Sequence, residues 1–190
     1  IIALSMFWAL AQVFLLVFQD VSGSQTVNTM QNYLAFAVVG LVVGSIIAAH
    51  NSKDFIETGF VPLGMIGASL CMFLIPFFVH PVALSILYTA IGIFGGMFLV
   101  PVNALLQYNT RPNNSGWVIA LANMIQALVL VVFLFIYSSL VRYTSLEPSY
   151  YFIGLALISV GVFYWSITES PQMSQRCLMV IAKPEGNLIY

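Results

Sequence analysis

Six apolar stretches of roughly 20 residues each, long enough to cross a bilayer as α-helices, contain no Asp, Glu, Lys or Arg. They run Ile1–Gln19, Met30–Ala49, Phe60–Val79, Val82–Gln107, Trp117–Val141 and Tyr150–Thr168. Every charge lies in a connection or in the tail. Charged residues make up 6% of the chain, whereas a soluble domain carries about 25%. So few charges would not cover a water-facing surface, and the solvent for most of this chain must be lipid. No stretch alternates with period two, which argues against a β-barrel. In hydrocarbon the backbone must then satisfy itself as helices. The expected fold is an all-α membrane protein with six transmembrane helices over residues 1–168 and a tail over 169–190.

The connections are short and carry turn residues: Ser-Gly-Ser at 22–24, His80-Pro81, and Arg-Pro-Asn-Asn at 111–114. Consecutive helices should therefore be antiparallel neighbours. Lys53, Arg111, Arg176 and Lys183 fall on one side of the membrane, and Arg142 alone falls on the other. The positive-inside rule puts the N-terminus, the second and fourth connections and the tail in the cytoplasm. A net charge of −1 provides no basic footprint for nucleic acid. Cys71 and Cys177 make neither a disulfide framework nor a metal-binding spacing. The opening IIALSMFWAL has no positively charged leader, and it reads as the inside of a longer protein rather than a signal peptide.

Polar residues inside the apolar stretches narrow the function. The first holds Ser5, Trp8, Gln12 and Gln19 at helical spacing. The second holds Gln31, Asn32 and Ser45. The fourth pairs Asn103 with Gln107, and the fifth pairs Asn123 with Gln126, each one turn apart. The third and sixth contain no Asn or Gln. This three-plus-three distribution suggests four helices lining a wet cavity, with the third of each triplet standing outside against lipid, as in transporters built from nested three-helix repeats. Taken singly, an amide is better explained by a bond to a neighbouring helix, worth about 0.6 kcal/mol; it is the distribution across helices that points to the cavity. Trp8 suits either a head-group contact or an interface anchor.

Gly40 with Gly44, and Gly92 with Gly96, form GxxxG pairs suited to close helix packing. Pro76 and Pro101 each remove a backbone hydrogen bond within a span and should kink it. At Pro101 the kink is either a hinge beside Asn103 or static. Asp54, Glu57 and Arg111, on the cytoplasmic side, are candidates for a gate of ion pairs or for solvated loop charge. No Gly-x-Ser-x-Gly, His-Glu-x-x-His or paired intramembrane carboxylates occur, so enzyme chemistry, cofactors and metals have no motif to rest on.

Two segments resemble the bacterial lysophospholipid transporter family, within the major facilitator superfamily. One is GSIIAAHNSKDFIETGFVPLG, Gly44–Gly64. The other is GIFGGMFLVPVNALLQ followed by RPNNSGWVIALANMIQAL, Gly92–Gln107 and Arg111–Leu128. The family's Pro-x-Asn-Ala-Leu-x-Gln corresponds to Pro101–Gln107, and its Gly-x-Val-Ile-Ala with the Asn that follows to Gly116–Ala120 and Asn123. The superfamily's charged loop motif between the second and third helices is degenerate, with only Lys53 as a base. The resemblance implies the C-terminal six-helix half of a transporter that moves lysophospholipids to the inner leaflet of the bacterial inner membrane by alternating access. It implies three partners: a preceding six-helix half, the lipid bilayer, and an acyltransferase/acyl-carrier-protein synthetase, fused in some bacteria, that re-acylates the substrate. The head group would meet Trp8, Gln12, Asn103, Gln107, Asn123 and Gln126. The other readings are a superfamily carrier of a different amphipathic solute or drug, and a membrane module that does not transport.

Overall fold

Four glycines set the closest backbone approach found at any described glycine. The computed structural model describes residues 2–21, 27–52, 59–78, 80–108, 110, 115–143 and 150–169. Within them lie α1 (Ile2–Val21), α2 (Val27–Asn51), α3 (Phe60–Leu74), α4 (Pro81–Tyr108), α5 (Ser115–Tyr143) and α6 (Tyr151–Glu169). Helices α2 and α4 make the most extensive pairing. A Cβ built on Gly40 would strike the Thr89 carbonyl, and one on Gly44 the Ile93 carbonyl. One on Gly92 would strike the Ala37 carbonyl, and one on Gly96 would lie 2.5 Å from the Leu41 oxygen. The two GxxxG pairs thus interlock backbone on backbone. Helices in lipid gain little from hydrophobic burial against one another, so close van der Waals approach of this kind is what holds them.

Each apolar stretch became a helix with ends within a few residues of those expected, except the third. There α3 stops at Leu74 and tightens into a 3-10 turn over Ile75–Phe77. Pro76 therefore ends the α-helix instead of kinking a continuous one: Ile75 keeps α dihedrals, but proline has no N–H to donate to the carbonyl one turn back, and the chain turns extended at Phe78. Pro101, by contrast, is buried inside α4 without interrupting it. Among the described residues all regular structure is helical. By length and composition four helical stretches can cross a membrane: Gln31–Asn51, Phe60–Phe77, Pro81–Tyr108 and Gly116–Tyr143. Shorter apolar stretches cover Ser5–Phe18 in α1 and Tyr151–Val162 in α6. The chain is a multi-pass membrane protein.

The other extensive contacts join α3 to α4 and α6, and α1 to α5, α6 and α4. Of the consecutive helices expected to be neighbours, only α3 and α4 pack extensively, because the glycine seam pairs α2 with α4 instead. At one end of the bundle the second half of α1 meets the starts of α2, α4 and α6 in an aromatic core. Tyr33 stacks on Tyr88, with ring centroids 5.6 Å apart, and Phe14 and Phe18 pack on the same Tyr88. Phe152 closes the group against Phe14 at 5.3 Å.

Helix α3 is the most enclosed of the four spanning stretches, with 61% of its window buried against 6% for α5. This differs from the expectation that the third helix of each triplet stands outside. The reason is local. The α3 face toward α4 is cut back by Gly64 and Gly67, which admit Phe94 and Phe98. The face toward α6 carries Ser69, whose hydroxyl lies 2.7 Å from both the Met65 carbonyl and the Ser159 hydroxyl. One hydroxyl has one proton, so Ser69 donates to the carbonyl while Ser159 donates to Ser69.

Candidate substrate site

At the end of the bundle opposite the aromatic core, α4 and α5 bring their amides together. Asn103 and Gln107 are one turn apart on α4, and Asn123 and Gln126 one turn apart on α5. Together with Trp8 of α1, Leu106, Ile119 and Ala122, they line a cavity of about 290 Å³. That is near the lower end of the range for small-molecule sites, about 300–1,000 Å³. The helical repeat explains the convergence, since residues three or four apart share a face. Asn103 and Gln126 are half-buried, while Gln107 and Asn123 are exposed. Ala122, at 1% exposure, is the tightly packed residue that lets α5 carry its amides inward.

The Asn103 side chain is held in place by its own helix. Its Nδ2 donates to the Leu99 carbonyl at 2.9 Å. The Oδ1 acceptor and the second amide hydrogen are what it has to offer a ligand. The lining contains donors and acceptors but no ionisable side chain. It therefore suits a group recognised by hydrogen bonds, and it would not itself carry a proton.

Five of the six cavity candidates, Trp8, Asn103, Gln107, Asn123 and Gln126, line this one space. Gln12 does not. It is exposed on α1 and lies outside the lining. The gate candidates Asp54, Glu57 and Arg111 lie outside the described residues, as do residues 170–190 of the tail. The sequence reading missed the apolar side chains between the amides, although Leu106, Ile119 and Ala122 fall on the same helical faces and the 3.6 repeat alone places them there. Among the described residues no cluster of His, Cys, Asp or Glu could hold a metal ion.

Known proteins give this geometry a context. The chain is similar to lysophospholipid transporters. It is 30% identical over 136 residues to a protein named lysophospholipid transporter LplT of Photorhabdus laumondii, covering 68% of this chain and 31% of that one. A protein of the same name from Klebsiella pneumoniae is 28% identical over 169 residues, 86% of this chain and 40% of its own length. Another, from Cronobacter sakazakii, is 32% identical over 148 residues, covering 75% of this chain and 37% of the relative. The aligned region thus spans 40% or less of the length of these relatives. No protein-family model matches the chain. No solved structure matches it either.

Proposed function

We propose that the chain is the C-terminal six-helix half of a major facilitator-type transporter that moves lysophospholipids across the bacterial inner membrane, with α1 to α6 all spanning. The observation that carries this reading is the gathering of Asn103, Gln107, Asn123 and Gln126 with Trp8 around one cavity, in a chain similar over most of its length to proteins named lysophospholipid transporter. The helix pairings support the three-plus-three organisation. Exchanging α1 with α4, α2 with α5 and α3 with α6 turns the α1–α5 contact into the α4–α2 contact, and α3–α4 into α6–α1. That is the pattern of two three-helix repeats related by a two-fold axis.

In this reading both ends of the segment are cytoplasmic, following the Lys and Arg distribution. The amide cavity then lies in the cytoplasmic half of the membrane and the aromatic core in the outer half. The head group is held by neutral hydrogen bonds from this half. Charge recognition and any ion coupling fall to the preceding six helices, and the two halves rock about the site. Asp54, Glu57 and Arg111 form cytoplasmic ion pairs that break on opening, and Pro101 is the hinge in α4. The delivered substrate is consumed by an acyltransferase/acyl-carrier-protein synthetase, as a separate or a fused partner.

The test is uptake of labelled lysophosphatidylethanolamine by spheroplasts lacking their own lysophospholipid transporter. They would express this half joined to its preceding half, with and without Asn103→Ala plus Asn123→Ala. Uptake that collapses in the double variant at equal membrane abundance is the expected result. Uptake that survives it discards the amide site. No uptake by an abundant, folded protein discards the lysophospholipid assignment.

A further inference from the structure

The helices fall into two groups of three. Helix α4 packs extensively on α2 and α3, and α1 packs on α5 and α6. Between the groups α3 and α6 pack extensively, whereas α1 and α4 touch lightly and α4 and α5 do not pack. Inside the first group backbones interlock. Gly40, Gly44, Gly92 and Gly96 join α2 to α4, and Gly64 and Gly67 bring α3 onto the same α4. Across the boundary the contact is looser. Of the described glycines only Gly95 has its nearest neighbour in the other group, and a Cβ built there would meet the Phe7 ring at an ordinary 3.6 Å. The amide cavity lies on this boundary, with Asn103 and Gln107 on one side and Trp8, Asn123 and Gln126 on the other. So does an apolar space of about 440 Å³ that separates α1 from α2, α3 and α4. The groups are fastened elsewhere. Ser159 of α6 donates to Ser69 of α3 at 2.7 Å, and at the aromatic end Phe14 and Phe18 of α1 pack on Tyr88 of α4. Toward the amide end α1 reaches α4 through Phe7 stacked on Phe98 at 4.9 Å, a contact that can slide without breaking a hydrogen bond.

We propose that the amide cavity is the mouth of a clamp inside this half: the two three-helix groups pivot on the α3–α6 seam and the aromatic end, and a polar ligand bonded to both walls draws the mouth closed. This rests on the amide site of the reading above and deepens it, because the motion lies within one half and is separate from the rocking of two halves. The pivot and the mouth are at opposite corners of the boundary, so a small rotation at Ser69 and Ser159 becomes a larger one at the amides. The apolar space between the groups supplies the room for it. Among the described residues no hydrogen bond joins the α4 amides to the α5 amides, and Asn103 bonds to its own helix. Nothing polar therefore holds the mouth at one width. A ligand reaches both walls only when each comes within hydrogen-bond distance, about 2.7–3.2 Å. It then binds the narrow state better than the wide one, which is the condition for a ligand to shift the equilibrium between them.

The experiment uses the full-length protein in lipid nanodiscs, with pairs of nitroxide labels at exposed positions and distances read by pulsed electron paramagnetic resonance. Tyr108 of α4 with Tyr164 of α6 spans the groups at the amide end. Tyr108 with Ile46 of α2 stays inside one group, and Val82 of α4 with Tyr150 beside α6 spans the groups at the aromatic end. Without ligand the first pair should give a broader distribution than the other two. Saturating lysophosphatidylethanolamine should narrow that distribution and shorten its mean by about 2 Å or more, with the other two unchanged. A first pair as narrow as the second, and unmoved by a lipid that the protein takes up, overturns the proposal, as does an equal shift in all three. A second arm uses Gly95, which faces the other group. Gly95→Leu wedges the groups apart and should hold the first pair long and lower uptake by about tenfold, while Gly95→Ala should leave uptake within about twofold. Equal uptake by these two variants at matched membrane abundance counts against the clamp. The two readings fail separately. A broad first pair in a protein without lysophosphatidylethanolamine uptake keeps the pivot and removes the lysophospholipid reading. Uptake with a narrow, unmoved first pair removes the clamp alone.

Discussion

Replacing Gly92 by alanine tests whether backbone contact holds α2 to α4. The added Cβ would strike the Ala37 carbonyl and lie 2.7 Å from the Leu41 nitrogen, where carbon contacts prefer about 3.5–4.0 Å. Both obstacles are backbone, so neither can rotate away, and the helices must part by several tenths of an ångström or more. A gap of about 0.5–1 Å forfeits a quarter to a half of each van der Waals contact along the seam, and overpacking of this kind costs about 1–3 kcal/mol. The helix itself gains about 0.5–1 kcal/mol when Gly becomes Ala. The sum is a net loss of about 1–2 kcal/mol. Gly154 is the control, because nothing lies within 4 Å of a Cβ built there. Gly154→Ala keeps the helix gain without the clash, so the two variants should differ by about 2 kcal/mol. At about 2–4 °C per kcal/mol for a chain of this size, that is a Tm gap of about 4–8 °C. The assay is loss of monodisperse detergent-solubilised protein after graded heating, read by fluorescence-detected size exclusion. Equal Tm values for Gly92→Ala and Gly154→Ala would refute the claim that this seam is held by backbone approach.

Ser69→Ala leaves the Ser159 hydroxyl without its buried partner and should cost about 1 kcal/mol. A Ser69/Ser159 double-mutant cycle by thermal melting should return a coupling of about 0.6 kcal/mol, and zero coupling would mean the 2.7 Å pair adds nothing. Gln12→Ala should leave lysophosphatidylethanolamine uptake within about twofold, as expected of a substitution away from packed or paired groups; a loss as large as that of Asn103→Ala would return Gln12 to the site.

The sequence made the helices and the amide cavity legible but not the packing that encloses α3, and a single physical reason covers both outcomes. An Asn or Gln in an apolar helix is conspicuous because leaving it in hydrocarbon is costly. Two amides one turn apart on each of two helices in an apolar bundle are best satisfied by a shared wet space, and here α4 and α5 face each other across one. Asn103, Gln107, Asn123 and Gln126 follow that logic. Gln12 breaks it, because spacing along α1 says nothing about which neighbour each level of the helix meets. Ser5, at nearly the same angle on that helix, is buried, whereas Gln12 is exposed. Serine is ambiguous for a related reason. It can satisfy its hydroxyl on its own helix, as Ser85 does on the Pro81 carbonyl, so Ser69 and Ser159 carried no sign of meeting each other. The glycines lie between these cases. A GxxxG pair announces close approach but not its partner, and two such pairs on alternate helices of a hairpin-connected chain become specific only when they face each other. The seam between α2 and α4 has that form, Gly40 and Gly44 against Gly92 and Gly96. It fixes the α4 helix, whose turn from Asn103 to Gln107 lines the amide cavity. The closest backbone approach among the described glycines is thus built into the helix that carries Asn103 and Gln107, where a shift of an ångström would be felt in the amide cavity.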